Sequence, residues 1–318
     1  MTISRRRFIA ISAAVALSSG SANGAQRPFH RWSGTAMGAR ASLVVSGMTE
    51  AEFNRLVGHV TAEINRLENI FSLYRTESEL SRLNAGGMID NPSGDFLRLL
   101  SLADPIHRKS DGVFDPTVQP LWRLHAETGG RPQQGALARA RELIGWNNVR
   151  FDRDRVAFGK PGMALTLNGI AQGYATDRVA ELLRQFGLRN VLVSIGEIAA
   201  LGERRPGKAW RIGISQTETG DAEETIGLSD LAVATSSPSG LSFGAGDDDG
   251  HILSPVDGRP VNHWRRISVI HRSAAMADGL STAFCAMTER QVFTTLSRFP
   301  DTRVIAIDRD GKRVTGQS

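Results

Sequence analysis

The chain predicts an α+β fold, with mixed or antiparallel sheets and packed helices, on three observations. Strand-period and helix-period segments alternate without the regular βαβ rhythm of a doubly wound sheet. The 318 residues are 41% hydrophobic and 22% charged, the balance of a globular chain with room for a large core. Beyond the N-terminal segment no apolar run is long enough to cross a membrane, and no internal repeat or low-complexity linker divides the chain.

The first 25 residues read as an export signal. Ser4-Arg5-Arg6-Arg7-Phe8-Ile9 is a twin-arginine pattern, followed by a small apolar run over 9–17 and by small residues at 22–25 that suit a cleavage site. Residues 26–318 are then expected to form the working domain, at the periplasmic or outer face of the inner membrane. No cysteine in this segment supports a lipid anchor. The formal net charge is +5. Residues 1–25 hold Arg5, Arg6 and Arg7 and no acid, so the remainder carries +2. That is no footprint for nucleic acid. Cys285 is the one cysteine and sits in Ala283-Phe284-Cys285-Ala286-Met287, so it reads as core packing and not as a nucleophile.

Element by element, residues 27–32 and 39–45 read as strands about a turn at 34–38. Residues 49–70 form an amphipathic helix, with Phe53, Leu56, Val57, Val60, Ile64 and Leu67 at 3–4 spacing. A loop follows over 71–80, then a helix over 95–109 disturbed at Pro105. Helix 135–144, short strands over 149–158, a strand-like run at 163–167 and helix 170–186 come next. Strands are expected at 191–195, 209–214 and 231–235. The last third gives strand 267–270, helices 274–287 and 291–299, and strand 303–307. Asp247-Asp248-Asp249 falls in a glycine-bounded stretch that reads as a solvated loop, without EF-hand spacing.

Five segments carry possible chemistry. Asp278 and Thr282 stand four residues apart, so a helix puts a carboxylate and a hydroxyl, both hard oxygen ligands, on one face. Asn168-Gly169-Ile170-Ala171-Gln172-Gly173 opens a helix, where free N–H groups favour anions; close helix packing explains the glycines as well. Residues 111–118 form an acidic Gly- and Pro-containing turn, with a plain connector as the competing reading. Tyr74 lies in a polar loop, placed to stack on a planar ligand or to anchor the loop. His251 opens a strand-like His-Ile-Leu that breaks at Ser254-Pro255 and turns at Asp257-Gly258, an edge position where sites are often built.

Taken in order, residues 34–38, 71–84, 111–118, 167–177, 251–260 and 277–282 resemble the ApbE-type FAD:protein FMN transferases over essentially the whole chain beyond the signal. The resemblance implies a T-fold-like architecture and Mg2+-dependent cleavage of the FAD pyrophosphate. FMN passes to a Thr or Ser hydroxyl of an acceptor protein, typically a flavoprotein subunit of a membrane redox complex, and AMP leaves. FAD pyrophosphatase activity and non-catalytic flavin binding are the alternatives. By the same resemblance Asp278, Thr282 and the Gly169 backbone carbonyl hold the metal. Met37, Tyr74, Val113, Phe114, Asp115, Thr166, Gln172 and Ile252 bind FAD, and His251 and Asp278 are catalytic. The chain departs from the family pattern at Thr166 (commonly Asp), Asn168 (Gly), Gln172 (Lys) and Ser254 (Asp), and Gly196-Glu197 looks shortened. These changes are expected to touch flavin binding more than the metal pair.

Overall fold

A computed structural model describes residues 29–214, 224–244 and 249–318. The export-signal reading, Asp247 and Asp248 lie outside the described residues. The described chain starts with a hairpin of β1 (Phe29–Ala36) and β2 (Ala39–Ser46). Met37 and Gly38 join them with φ of 51° and 79°, the signs that a two-residue type I′ turn requires. Glycine adopts this freely; for a methionine the left-handed region costs about 1 kcal/mol. Next comes α1 (Glu50–Phe71), opened by a capping box between Thr49 and Glu52; of the expected stripe it buries Phe53, Leu56, Val60, Ile64 and Leu67, with Val57 half-buried, and it adds Ile70 and Phe71.

The elements that follow are α2 (Glu79–Gly86), β3 (Met88–Asp90), α3 (Gly94–Lys109), α4 (Gln119–Thr128), α5 (Gln134–Arg141), β4 (Val149–Phe151), β5 (Arg155–Phe158) and α6 (Ala171–Gln185). Then come β6 (Val191–Ile195), β7 (Glu197–Leu201), β8 (Trp210–Ile214), β9 (Glu224–Leu228), β10 (Leu231–Ser236) and β11 (Trp264–His271). The chain closes with α7 (Ala274–Cys285), α8 (Glu289–Leu296), β12 (Arg303–Asp308) and β13 (Arg313–Gln317). No helix among the described residues is long and apolar enough to cross a membrane.

Eight strands form one antiparallel sheet in the order β1-β2-β6-β7-β10-β11-β12-β13. Both faces are covered, and the strands alternate accordingly. Leu43, Val193, Ala199, Ala234 and Val269 face the main core with the helices. Val44, Leu192, Ile198, Val233 and Ile270 face a second core closed by Trp210, Ile212 and Leu228 of the β8–β9 ribbon. Burial on two sides is why these strands read as unbroken apolar runs.

The helix α7 lies between α6 and strands β10 and β11. Nearly all of it is buried, including Cys285, whose thiol burial pushes up; the core reading of that residue fits. At the crossing, a Cβ on Gly173 would stand 2.2 Å from the Ala274 carbonyl oxygen, so only glycine allows the approach. The Asp177 carboxylate of α6 takes hydrogen bonds from the Ser273 hydroxyl at 2.7 Å, the Ala274 N–H at 2.8 Å and the Ala275 N–H at 3.0 Å. It caps the first turn of a helix to which it does not belong.

Three sequence expectations need correction. Residues 163–167 are not a strand. Their backbone bonds go instead to the Asn84 amide, which accepts from Leu165 N–H at 2.7 Å and donates to Leu165 O at 2.8 Å, and to Pro116 O from Thr166 N–H at 2.8 Å. Residues 251–253 make only an isolated bridge, Leu253 to Pro260, because Pro255 interrupts the ladder. Part of the loop expected over 71–80 belongs to α2, capped by Ser78 and stopped at Gly87 with φ of 76°.

Substituting Gly173→Ala is expected to destabilise the fold by about 3 kcal/mol, the scale of overpacking against rigid backbone. Denaturant unfolding of the purified protein checks this through its midpoint; an unchanged midpoint would mean that the two helices separate at no cost.

Candidate active site

Every residue singled out from the sequence as a site candidate lines one cavity of about 370 Å3. It opens between the hairpin turn, the 71–78 loop, the 113–118 turn, the N-terminus of α6 and the polar side of α7. The structure therefore brings the separate segments together; the role of each is a matter of chemistry.

One corner is rich in oxygen. Asp278 and Thr282 are one turn apart on α7. The Gly169 backbone lies so close that a Cβ there would stand 2.9 Å from Thr282 Cγ2 and 3.0 Å from its Oγ1, and would push that side chain aside. The hydroxyl of Ser236 lies 2.7 Å from that of Ser281 and 3.4 Å from that of Thr282. Asp278 is 3% exposed. Burial pushes its carboxyl up to about 7; the Gly173 N–H, donating at 2.9 Å, works against this, and nearby Asp177 adds to it.

Glu197, at the start of β7, lines the same corner and was not among the sequence candidates. Its carboxyl is raised first by burial and then by the charge of Asp278, and eased by the Thr235 N–H at 3.1 Å. The only sequence signal was Gly196-Glu197 after a strand. Neither Asp278 nor Glu197 forms an ion pair with a described basic side chain. Two facing buried carboxylates with hydroxyls beside them make a donor set that suits a hard divalent cation. The chemistry of the residues present fits Mg2+; by the resemblance, Asp278, Thr282 and the Gly169 carbonyl would be its protein ligands. No cluster of three or more His, Cys, Asp or Glu side chains arranged for a metal occurs among the described residues; most of the coordination shell would have to come from water and phosphate.

A second corner holds His251. Its Nδ1 lies 3.3 Å from the Pro238 carbonyl oxygen and 3.2 Å from that of Leu241. Both partners can only accept, so Nδ1 carries the proton and Nε2 keeps its lone pair. Burial lowers the imidazole below its ordinary value, against a smaller opposing effect of the two carbonyls. Ile252 follows it along the cavity wall, and His125 of α4 steadies the turn beyond through Gly258 O at 2.8 Å.

The remaining candidates line the rest of the cavity. Met37 presents its left-handed turn, with Gln172 Nε2 donating to its carbonyl at 3.3 Å. Tyr74 is 65% exposed at the cavity rim. Val113 and Phe114 line the wall, the Phe114 carbonyl held by His107 Nδ1 at 2.9 Å. Asp115 lines the cavity, but its carboxylate is engaged inside the fold. It takes the Thr117 N–H and hydroxyl at 2.8 and 2.6 Å and the Trp146 N–H at 3.2 Å. Thr166 accepts from the Asn168 N–H at 3.3 Å.

A family model described as the ApbE family matches residues 37–306. The FAD:protein FMN transferase of Haemophilus influenzae is 31% identical over 262 residues, covering 77% of this chain and 74% of that protein. The FAD:protein FMN transferase of Vibrio cholerae is 30% identical over 257 residues, covering 76% and 74%. Among solved structures, the flavin transferase ApbE from Vibrio cholerae matches with a TM-score of 0.79 at 27% identity, over 92% of this chain and 98% of that one. The apo form of the Pseudomonas stutzeri flavinyl transferase ApbE gives 0.78 at 28% identity, over 93% and 97%. On the extent of the family match and the identity to its members, the chain belongs to the ApbE family.

Proposed function

We propose that this protein is an Mg2+-dependent FAD:protein FMN transferase, which moves FMN from FAD to a Thr or Ser hydroxyl of an acceptor protein and releases AMP. One observation carries the reading: the oxygen-rich corner of Asp278, Thr282 and Gly169 opens into the same cavity as Tyr74, Met37 and His251. A nucleotide with its flavin on the Tyr74 side has its pyrophosphate within reach of the acidic corner only if a cation separates the charges. When bound, Mg2+ would neutralise charge on the pyrophosphate and on the departing AMP.

The chain's own residues supply the rest. Asp278 and Thr282 hold their oxygens in place on a buried helix. Asp278 is oriented by the Gly173 N–H. His251 is the base: its free Nε2 takes the proton of the acceptor hydroxyl. The hydroxyl oxygen bonds to the FMN phosphorus as the bond from that phosphorus to the bridging oxygen breaks, and AMP departs with the electron pair. The twin-arginine pattern supports an acceptor at the outer face of the inner membrane, a flavoprotein subunit of a membrane redox complex.

Incubation with FAD, Mg2+ and an acceptor is expected to add the mass of FMN to the acceptor and to release AMP. In Asp278→Asn the rate is expected to fall on the order of a hundredfold or more, the loss of several kcal/mol at a metal-assisted step, with folding intact by circular dichroism. Full activity in this variant would remove the proposed cation corner. His251→Ala is expected to lower kcat with little change in KM for FAD; an unchanged kcat would leave His251 as wall only.

The raised carboxyls also set a pH dependence. In the folded protein Asp278 keeps its proton to about 7, against an ordinary value of 3.8. Between these limits the folded state binds more protons than the unfolded one, so stability of the metal-free protein falls as pH rises through the window. Mg2+ competes with the proton and is expected to raise the melting temperature more at pH 8 than at pH 5.5. At tenfold excess over its Kd the gain is about 1.4 kcal/mol. Thermal melts with and without Mg2+ at both pH values measure it; an equal shift at both would place the cation away from Asp278.

A further inference from the structure

The walls of the flavin side are separate in sequence, and one carboxylate joins them. Glu68, in the last turn of α1, lines the cavity with Met37, Tyr74 and Arg75. Its Oε1 accepts the backbone N–H of Met37 at 2.8 Å, and its Oε2 pairs with the Arg75 guanidinium. Arg75 is also bound by the Asn69 side-chain oxygen at 2.7 Å and the Asn65 carbonyl at 3.4 Å. The backbone N–H groups of Tyr74 and Arg75 both donate to Ser72 Oγ at 3.1 Å, so the aromatic ring and the guanidinium ride on one short turn. Ser72 is in turn fixed by Ser78 and Ser81, whose hydroxyls donate to its carbonyl at 2.5 and 2.9 Å.

The Met37 turn is the part that needs holding. Its φ of 51° is disfavoured for a methionine, and the turn lines the cavity. Gln172 secures the Met37 carbonyl from α6, and Glu68 secures its N–H from α1. Without the carboxylate, the turn loses its charge-assisted acceptor and the Tyr74 turn loses its ion pair. The two walls would then move independently.

We propose that Glu68 is a positioning residue for the flavin nucleotide: it sets the spacing between the Met37 turn and the Tyr74 ring, and with it the width of the slot that receives the isoalloxazine. This rests on the reading of FAD as substrate. The effect belongs to binding, because Glu68 stands on the flavin wall and not among the residues assigned to the phosphates.

The test uses the full chain with Glu68→Ala and Glu68→Gln, titrated with FAD and followed by flavin fluorescence. Glu68→Ala is expected to bind FAD roughly tenfold more weakly, the scale of one lost charge-assisted hydrogen bond. Bound flavin is expected to be less quenched, because Tyr74 no longer stacks in register. KM for FAD should rise in step while kcat falls by less than about twofold. Glu68→Gln keeps an acceptor for the Met37 N–H and loses the ion pair, so it should fall between wild type and Glu68→Ala; it also serves if the alanine variant does not fold. A folded variant with unchanged FAD affinity and unchanged quenching overturns the assignment. Wild-type protein that takes up no FAD overturns the functional reading itself, and this assignment with it.

Discussion

The site depends on one contact, the crossing of α6 over the start of α7. Gly173 brings the helix axes together, and Asp177 satisfies three donors at the first turn of α7. In the opposite direction Asp278 of α7 accepts the N–H of Gly173. Each helix thus completes the other's polar backbone. The result fixes the Gly169 backbone against Thr282 and turns Asp278 into the cavity. The antiparallel sheet supplies the platform under α7, but the crossing decides where the oxygens point.

Such an arrangement runs against stability taken alone. Asp278 and Glu197 are buried and Asp177 is half-buried nearby, and loss of water raises all three carboxyls. A fold selected only for stability would replace them with apolar groups of similar volume. Asp278 and Glu197 line one cavity and set two carboxyl groups where the proposed reaction needs a cation. His251 is treated in the opposite way: burial keeps it neutral, with its proton fixed on the nitrogen that faces carbonyl oxygens. The two corners therefore stay chemically distinct within one cavity.

Much of this was legible in the sequence. The stripe from Phe53 to Leu67 gave α1 within a residue at each end, and the four-residue spacing of Asp278 and Thr282 survived as one face of α7. The order of the segments makes the site residues legible as a set, and they line one cavity; singly, each has a plain alternative. What was not legible lies where local pattern and tertiary bonding part. Residues 163–167 have the apolar content of a strand, yet a side-chain amide replaces the neighbouring strand. Helix α4 was hidden by its short apolar stripe, although Pro120 near its start and Gly129 past its end mark its limits. Glu197 was unreadable as a site residue because its importance comes from facing Asp278 across the sheet's edge of the cavity, and no local spacing encodes that.

Asn84 illustrates a different kind of dependence. Its amide makes both hydrogen bonds of a strand partner to the Leu165 peptide, 81 positions away. An aspartate would set a carboxylate against the Leu165 carbonyl, and a glutamine would overshoot by a methylene. Because the amide binds main chain, changing the side chains of 163–167 leaves its demand untouched. Position 84 therefore limits how the chain can diverge: the segment that carries Thr166 and leads to Gly169 is free to alter its composition, but not its distance from one amide on α2.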